Sequence, residues 1–202
     1  MKHVLLIAGM PGAGKTTQAE YFADRYDAVI FSKDSFKEIL FDDIGFRSAD
    51  EKEKLDIASI RLMLKAAELT LARKKNVIIE SNFMTRDKEY LKEFEERTGE
   101  EITTLRMDCD IDVLYARALE RDGSVSRHPA HSVADCYPPP EGEELVYSPL
   151  WTKEEYKYNV KVSGVQDFSY GTTFSLDTTD FEKMELDKVT RELDILFTES
   201  DA

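Results

Sequence analysis

The sequence predicts an α/β fold of three layers, with helices on both faces of a mostly parallel central sheet of about five strands, plus a lid. Two observations carry that expectation. Short strand-like runs alternate with helical patterns along most of the chain, the order that builds βαβ units and a parallel sheet. Residues Gly9-Met10-Pro11-Gly12-Ala13-Gly14-Lys15-Thr16 spell G-x-x-x-x-G-K-[ST] between an apolar run and a helical pattern, the strand–loop–helix setting of a phosphate-binding loop. At ordinary glycine usage of about 7%, the four fixed positions recur by chance on the order of once in a hundred chains this long.

The elements follow in order. Val4-Leu5-Leu6-Ile7-Ala8 reads as a strand, and Lys15 to Tyr26 as a helix with Ala19, Phe22 and Ala23 on one face. Ala28–Phe31 is the second strand, Asp34 to Phe41 a short helix, and Asp42–Ser48 a polar turn. Ala49 to Lys74 is a long helix with Ile57, Ile60, Leu64, Ala67 and Leu71 at core spacing and more apolar residues on neighbouring faces, which predicts burial on more than one side. Asn76–Glu80 and Ile102–Met107 are strands around a charged helix, Arg86 to Arg97. Ile111, Leu114, Tyr115, Ala118 and Leu119 mark a further helix face, Thr173–Asp177 alternates as a strand, and Leu186, Val189, Leu193 and Leu196 stripe a last helix. From Arg121 to Gly171 the rhythm breaks. That stretch holds Pro138-Pro139-Pro140 and the aromatics Tyr137, Tyr147, Trp151, Tyr156, Tyr158, Phe168 and Tyr170. Aperiodic segments of such length serve as lids and binding loops or pack on a domain's flank, and so many aromatics argue against plain disorder.

Composition bounds the rest. The 202 residues suffice for one domain spanning residues 1–202 with a lid and cap at about 121–171. No run approaches the roughly 20 apolar residues of a membrane span, and the N-terminal apolar run is too short for a signal peptide. Cys109 and Cys136 show no metal spacing, so reduced thiols in a cytoplasmic protein are expected. The net charge of −14 weighs against nucleic acid and anionic lipid as partners, while leaving room for a local basic cleft.

The glycines of the loop let successive N–H groups form an anion-binding nest, and the following helix adds its unsatisfied donors. Gly9 through Thr17 therefore bind a nucleoside triphosphate in this reading, with Lys15 on the β- and γ-phosphates and the Thr16 hydroxyl on Mg²⁺. This is the P-loop NTPase arrangement. In an open parallel sheet the ligand crevice lies beyond the carboxyl ends of the strands. The polar residues there are Ser32, Lys33 and Asp34, then Glu80, Ser81 and Asn82, then Asp108 and Asp110. Phosphoryl transfer to an alcohol needs a carboxylate to take the hydroxyl proton and positive charge on the transferring group. Asp34 is the candidate base, although an Asp here also suits a helix N-cap. Glu80 or Asp34 could assist Mg²⁺, directly or through water. Arg117 and Arg121 share one helix side, and with Arg127 they are placed either to close on the triphosphate or to pair with Glu120 and Asp122 on a solvated face.

These residues resemble the small P-loop kinases that include the phage-type 5′-polynucleotide kinases, chloramphenicol phosphotransferases and zeta toxins. The resemblance covers residues 1 to about 131 and resumes at Phe174–Thr179. It rests on Gly9–Thr17, on Phe31-Ser32-Lys33-Asp34-Ser35-Phe36-Lys37, on Val77-Ile78-Ile79-Glu80-Ser81-Asn82-Phe83, and on Asp108 through Arg117 and Arg121. It implies that Asp34 is the base, that Lys15 and Arg121 stabilise the transferred phosphoryl, and that Arg117 belongs to the lid and the nucleotide site. The chain departs from that pattern at Lys37, where the polynucleotide kinases carry an arginine, and at Glu80, where they carry an aspartate. Gly123 to His131, with Arg127-His128-Pro129, resembles the lid of other members, which makes Lys37, Glu80, Asn82, Arg127 and His128 candidate acceptor or lid contacts. The leading expectation is an ATP- and Mg²⁺-dependent kinase acting on a small-molecule hydroxyl. The alternatives are a polynucleotide 5′-hydroxyl kinase, a toxin-like sugar-nucleotide kinase, and a nucleotide-dependent switch module. A guanine-reading N-K-x-D is missing, since Thr152-Lys153-Glu154-Glu155 lacks the aspartate.

Overall fold

The computed structural model describes residues 3–122 and 127–198. Residues 123–126, the first part of the expected Gly123–His131 lid, lie outside the described residues. The elements run β1 (Val4–Gly9), α1 (Lys15–Tyr26), β2 (Ala28–Ser32), α2 (Lys33–Asp43), α3 (Ala49–Leu71), β3 (Asn76–Ser81), α4 (Lys88–Thr98), β4 (Ile102–Asp108), α5 (Ile111–Asp122), α6 (Lys153–Ser163), β5 (Thr172–Asp177) and α7 (Leu186–Thr198). Alternation along β1 organises both faces of the sheet, because successive strand side chains point to opposite sides. Leu5 and Ile7 enter one core with Phe22 of α1, Leu114 of α5, Val160 of α6 and Leu193 of α7. Val4, Leu6 and Ala8 enter the other with Ile60, Met63 and Leu64 of α3 and Phe94 of α4. A strand covered on both faces must be apolar throughout, and β1 is buried at every position.

All five strands are parallel, in the order β2-β3-β1-β4-β5. The three-layer expectation is met, with an all-parallel sheet. From β3 the chain passes across β1 to β4, so β1 lies at the switch point and its carboxyl end opens the crevice where ligands bind in such sheets. At that end Ala8 lies beside Ser81 on one side and Arg106 on the other.

Two expectations change. The stretch from 121 to 171 was aperiodic by sequence, yet it contains α6, which buries Tyr156 and Val160. Thr152 caps it, accepting from Glu155 N at 3.3 Å while Glu155 accepts from Thr152 N at 2.8 Å. Residues 127–137 form no free excursion either. A short helical turn, Pro129–Ser132, packs Ala130 and then Val133 into a third core with Phe41 and Phe46, at the α2–α3 end, and Leu55 of α3. Phe46 and Tyr137 exchange backbone hydrogen bonds of 2.7 and 2.9 Å, and Tyr137 donates its hydroxyl to Asp42 at 3.0 Å. The wide apolarity of α3 is explained in part: Ile60, Met63, Leu64, Ala67 and Leu71 pack on the sheet side and Leu55 on this satellite core, while Leu62 and Leu69 are exposed and Ile57, expected at core spacing, is only half-buried.

Candidate active site

The loop after β1 owes its shape to its glycines. Gly12 and Gly14 have φ of 86° and 83°, a region that side-chain-bearing residues rarely adopt. A Cβ on Gly14 would stand 3.0 Å from the Phe181 ring. Ala13 N donates to Met10 O at 3.1 Å, and Lys15 Nζ returns to the same carbonyl at 3.2 Å. The first turn of α1 holds no acidic residue, and its N-cap, Gly14, makes no side-chain cap, so its N–H donors face an anion with no internal competitor.

One cavity of about 570 Å³ gathers most of the expected residues. Pro11, Gly12, Gly14, Lys15, Thr16 and Thr17 line it, together with Asp34, Lys37, Glu80, Asn82, Arg121, Arg127 and His128. Gly9, Met10 and Ala13 support the loop from beneath: Gly9 ends β1 against Met107, and Met10 and Ala13 are buried. Asp34 lies in the first turn of α2, and the N-cap is Ser32. Asp34 therefore does not occupy the N-cap position, the Ser32 side chain makes no cap hydrogen bond, and Asp34 lines the cavity. Its charge acts on Lys15, Arg121, Arg127 and His131.

The electrostatics are those of a partly buried, mixed-charge cleft. Burial pushes the Lys15 ammonium down, against Glu80 and Asp34, which hold the charge in place. Burial likewise raises Glu80, opposed by the Thr16 hydrogen bond and Lys15. Burial, with Arg121 alongside, draws Arg127 down to about 10. Thr16 Oγ1 donates to Glu80 Oε1 at 2.8 Å, while Glu80 Oε2 is buried with no hydrogen-bond partner among the described residues. An orphaned carboxylate oxygen beside a loop hydroxyl fits a divalent cation, held by the hydroxyl and reached by Glu80 directly or through water. No group of three or more His, Cys, Asp or Glu side chains suited to a metal occurs among the described residues. The remaining ligands of a Mg²⁺ ion here would be phosphate and water oxygens, the usual preference of that ion.

Three expected residues sit differently from the sequence reading. Arg117 is already engaged at the loop: its guanidinium donates to Gly12 O at 3.3 Å, Thr178 O at 3.0 Å and Thr179 O at 3.1 Å, and lies 4.0 Å from the centroid of Phe181. It braces the loop against the segment after β5. His128 is saturated: Nδ1 accepts from Ala130 N at 3.2 Å, so Nε2 carries the proton and donates to Asp42 at 3.0 Å. It pins the 127–133 segment to α2. Lys37 is paired with Asp56 at 2.7 Å, and the same carboxylate takes Lys33 at 2.8 Å and Arg86 at 3.0 Å.

The sequence reading missed Lys52, Asp56, Glu38, His131 and Phe181. Lys52, Glu38, His131 and Phe181 line the cavity, and Asp56 anchors Lys37 within it. Lys52 and Asp56 are four apart on α3, a spacing that places both on the α2 side. That was the available signal. His131 meets Glu38 at 2.9 Å; Phe181 gave no signal, since its relevance depends on β5 folding beside β4.

The comparisons agree with this architecture. A family profile described as an AAA domain, AAA_17, matches residues 8–132. No curated protein matches the chain. Among solved structures, a "putative kinase" from Chloroflexus aurantiacus J-10-fl is similar, with TM-score 0.68, 23% identity, and 96% of this chain and 95% of that chain covered. A sugar kinase from Janibacter sp. HTCC2649 aligns with TM-score 0.59 and 16% identity over 97% and 95% of the two chains. Shikimate kinase from Bacteroides thetaiotaomicron aligns with TM-score 0.51 and 17% identity over 96% and 97%. At these identities the likeness establishes the fold, which is that of the P-loop kinases. The profile spans more than half of the chain and includes the phosphate loop, Asp34, Glu80 and Arg121: the chain belongs to the AAA_17 family of AAA domains.

Proposed function

We propose that the protein is an ATP- and Mg²⁺-dependent kinase that moves the γ-phosphoryl group onto a hydroxyl of a small molecule. The observation that carries this reading is the convergence, on one cavity, of the loop with Lys15 and Thr16, the carboxylate of Asp34, and the guanidinium-bearing Arg121 and Arg127. The kinase names of the structural neighbours support it as analogy of fold. The acceptor oxygen forms the new bond to Pγ, its proton passes to Asp34, and the bond from Pγ to the bridging oxygen breaks to release ADP. Lys15, Arg121 and Arg127 hold the charge that spreads over the equatorial oxygens. Mg²⁺, held by Thr16 and Glu80, would supply further neutralisation of phosphate charge. Arg117 and Phe181 flank the loop on the β5 side, where the rest of the nucleotide extends.

Asp34→Asn keeps size and removes the proton acceptor. Phosphoryl transfer should fall by about 10²–10⁴-fold, the usual range for a general base, with ATP affinity and melting temperature nearly unchanged because Asp34 is not the N-cap residue of α2. ADP release with and without metabolite pools, alongside equilibrium ATP binding, reads both quantities. Parallel loss of binding and stability would refute the base assignment.

A further inference from the structure

A second cavity of about 500 Å³ opens on the other side of Pro11 and shares Pro11, Lys52, Arg121, Arg127 and His131 with the phosphate cavity. Its character is different. Its walls are Met10, Ala118, Leu119, Val133 and Leu150, with the aromatic trio Tyr115, Tyr156 and Trp151. Tyr115 and Tyr156 have ring centroids 5.5 Å apart, and Trp151 and Tyr156 6.4 Å. The trio is tied together, since the Tyr115 hydroxyl donates to Trp151 O at 3.1 Å. The charged residues of its lining are those shared with the phosphate cavity, and the rest is mostly apolar, with Ser132 and Ser148 as the exceptions besides the tyrosine hydroxyls. Tyr156 is 7% exposed, and its hydroxyl is buried with no hydrogen-bond partner among the described residues.

We infer that this cavity seats the body of the acceptor, and that the acceptor is an alcohol carrying a planar, apolar ring system rather than a bare sugar or polyol. The inference rests on the kinase reading above and adds the substrate class. The volume lies within the range of about 300–1,000 Å³ that encloses small ligands, and an apolar lining with few fixed polar groups is the usual character of such sites. Aromatic walls favour flat apolar rings in offset or edge contact. A polyol would bury several hydroxyls against carbon, and each one left without a partner weakens binding by about tenfold. Away from the shared rim, Ser132 and Ser148 are the uncharged polar side chains of the lining besides the tyrosines. The shared rim sets the direction: a ring held against Leu119 and Trp151 presents its hydroxyl past Arg121 and Arg127 toward Asp34. That hydroxyl oxygen bonds to Pγ, its proton goes to Asp34, and ADP departs.

Trp151 is the only tryptophan and lines the cavity, so its emission reports occupancy directly. The full-length protein, saturated with a non-hydrolysable ATP analogue, is titrated with benzyl alcohol, 2-phenylethanol and 3-phenyl-1,2-propanediol, and separately with glucose and gluconate; ADP release with ATP is measured for the same compounds. The aryl alcohols should shift Trp151 emission saturably and raise ADP release, with the sugars doing neither. Leu119→Asp, at a position 38% exposed and so tolerant of change, should weaken the aryl alcohols by about tenfold or more with an unchanged melting curve. Tyr156→Phe should raise the melting temperature of the free protein, because it removes an unsatisfied buried hydroxyl, while aryl-alcohol binding is retained. Sugar-stimulated ADP release without any aryl-alcohol signal would overturn the substrate class and leave the kinase reading intact. An ATP analogue that itself shifts Trp151 and competes with the aryl alcohols would make the cavity a nucleotide seat and overturn the inference. Silence from every compound in both measurements would overturn it as well. Saturable aryl-alcohol binding with no ADP release from any aryl alcohol would overturn the cavity's role as the acceptor seat, leaving the kinase reading to its own test with metabolite pools.

Discussion

Asp56 shows how much of the site depends on one residue away from the chemistry. Its carboxylate is 14% exposed and holds Lys33, whose side chain is 4% exposed, together with Lys37 and Arg86. Burial alone would raise its pKa; the ammonium groups of Lys33 and Lys37 overcome that and hold it well below the usual carboxylate range. Removing one partner of a buried pair leaves an uncompensated charge, at a cost of about 3–5 kcal/mol. Asp56→Ala should therefore lose stability on that scale in urea titration; a loss below about 1 kcal/mol, the scale of a surface pair, would show that water already solvates these lysines. Lys52 is a cavity residue whose charge depends on its surroundings. Burial, reinforced by Lys37 and Arg127 and opposed by Asp56 and Asp135, brings it down to about 8 from 10.5. Below pH 8 the folded and unfolded chains are both protonated at Lys52. Between 8 and 10.5 the unfolded chain binds the extra proton, so the Lys52 contribution to stability rises with pH across that window. The cavity meanwhile loses a positive charge. Affinity for tripolyphosphate should weaken through pH 8 in the wild type, and Lys52→Met should remove that step; an identical profile in both proteins would exclude Lys52 as its source.

Helix α6 is the element that the sequence concealed, and the reason is physical. Its pattern offers only Tyr156 and Val160 as a buried pair, too narrow a stripe to stand out among exposed Tyr158 and Val162. The helix is specified at its end instead, by the reciprocal Thr152–Glu155 cap, in the tetrapeptide inspected only for a guanine-reading aspartate. Thr152→Ala should cost about 1 kcal/mol and loosen the Tyr115–Trp151–Tyr156 group, measurable as a change in Trp151 emission. Unchanged emission and stability would mean that packing alone holds α6. The strands and the phosphate loop were legible because β1 must be apolar on both faces and the loop must be glycine-rich, constraints that act within one short segment. The docking of residues 127–137 on α2 was not legible. His128, His131 and Tyr137 meet Asp42 and Glu38 across 86 to 95 residues of chain, and no local pattern records such a pairing. Asp34 and Glu80 were readable for an intermediate reason: strand ends were locatable, and the crevice rule did the rest.

At the scale of the whole molecule, two charge distributions oppose each other. The chain carries −14 overall, yet the cavity walls bring together Lys15, Lys37, Lys52, Arg121 and Arg127 against Asp34, Glu38 and Glu80. Such focusing draws a compact anion into the cleft without a basic surface around it. A polynucleotide needs more than a cleft. Its affinity comes from releasing counterions along a run of phosphates, with a salt slope of about −0.7 per phosphate neutralised on a single strand, and this demands cations spread along a track. Lys37, the residue nearest to an acceptor phosphate in the polynucleotide-kinase reading, is held in place by its ion pair with Asp56 and, as an ammonium, lacks the bidentate fork with which an arginine grips a phosphate. A single-stranded oligonucleotide with a free 5′-hydroxyl should accordingly fail to stimulate ADP release at about 0.15 M salt, and lowering the ionic strength should not rescue it, because the long-range field of the protein repels the strand more strongly as screening falls. Stimulation that grows steeply as salt is lowered would reveal a cationic track and restore the polynucleotide acceptor. Stimulation indifferent to salt would mean that only the terminal nucleoside is read, with its base in the aromatic cavity, and the same cleft would then serve a nucleic-acid end as a small molecule.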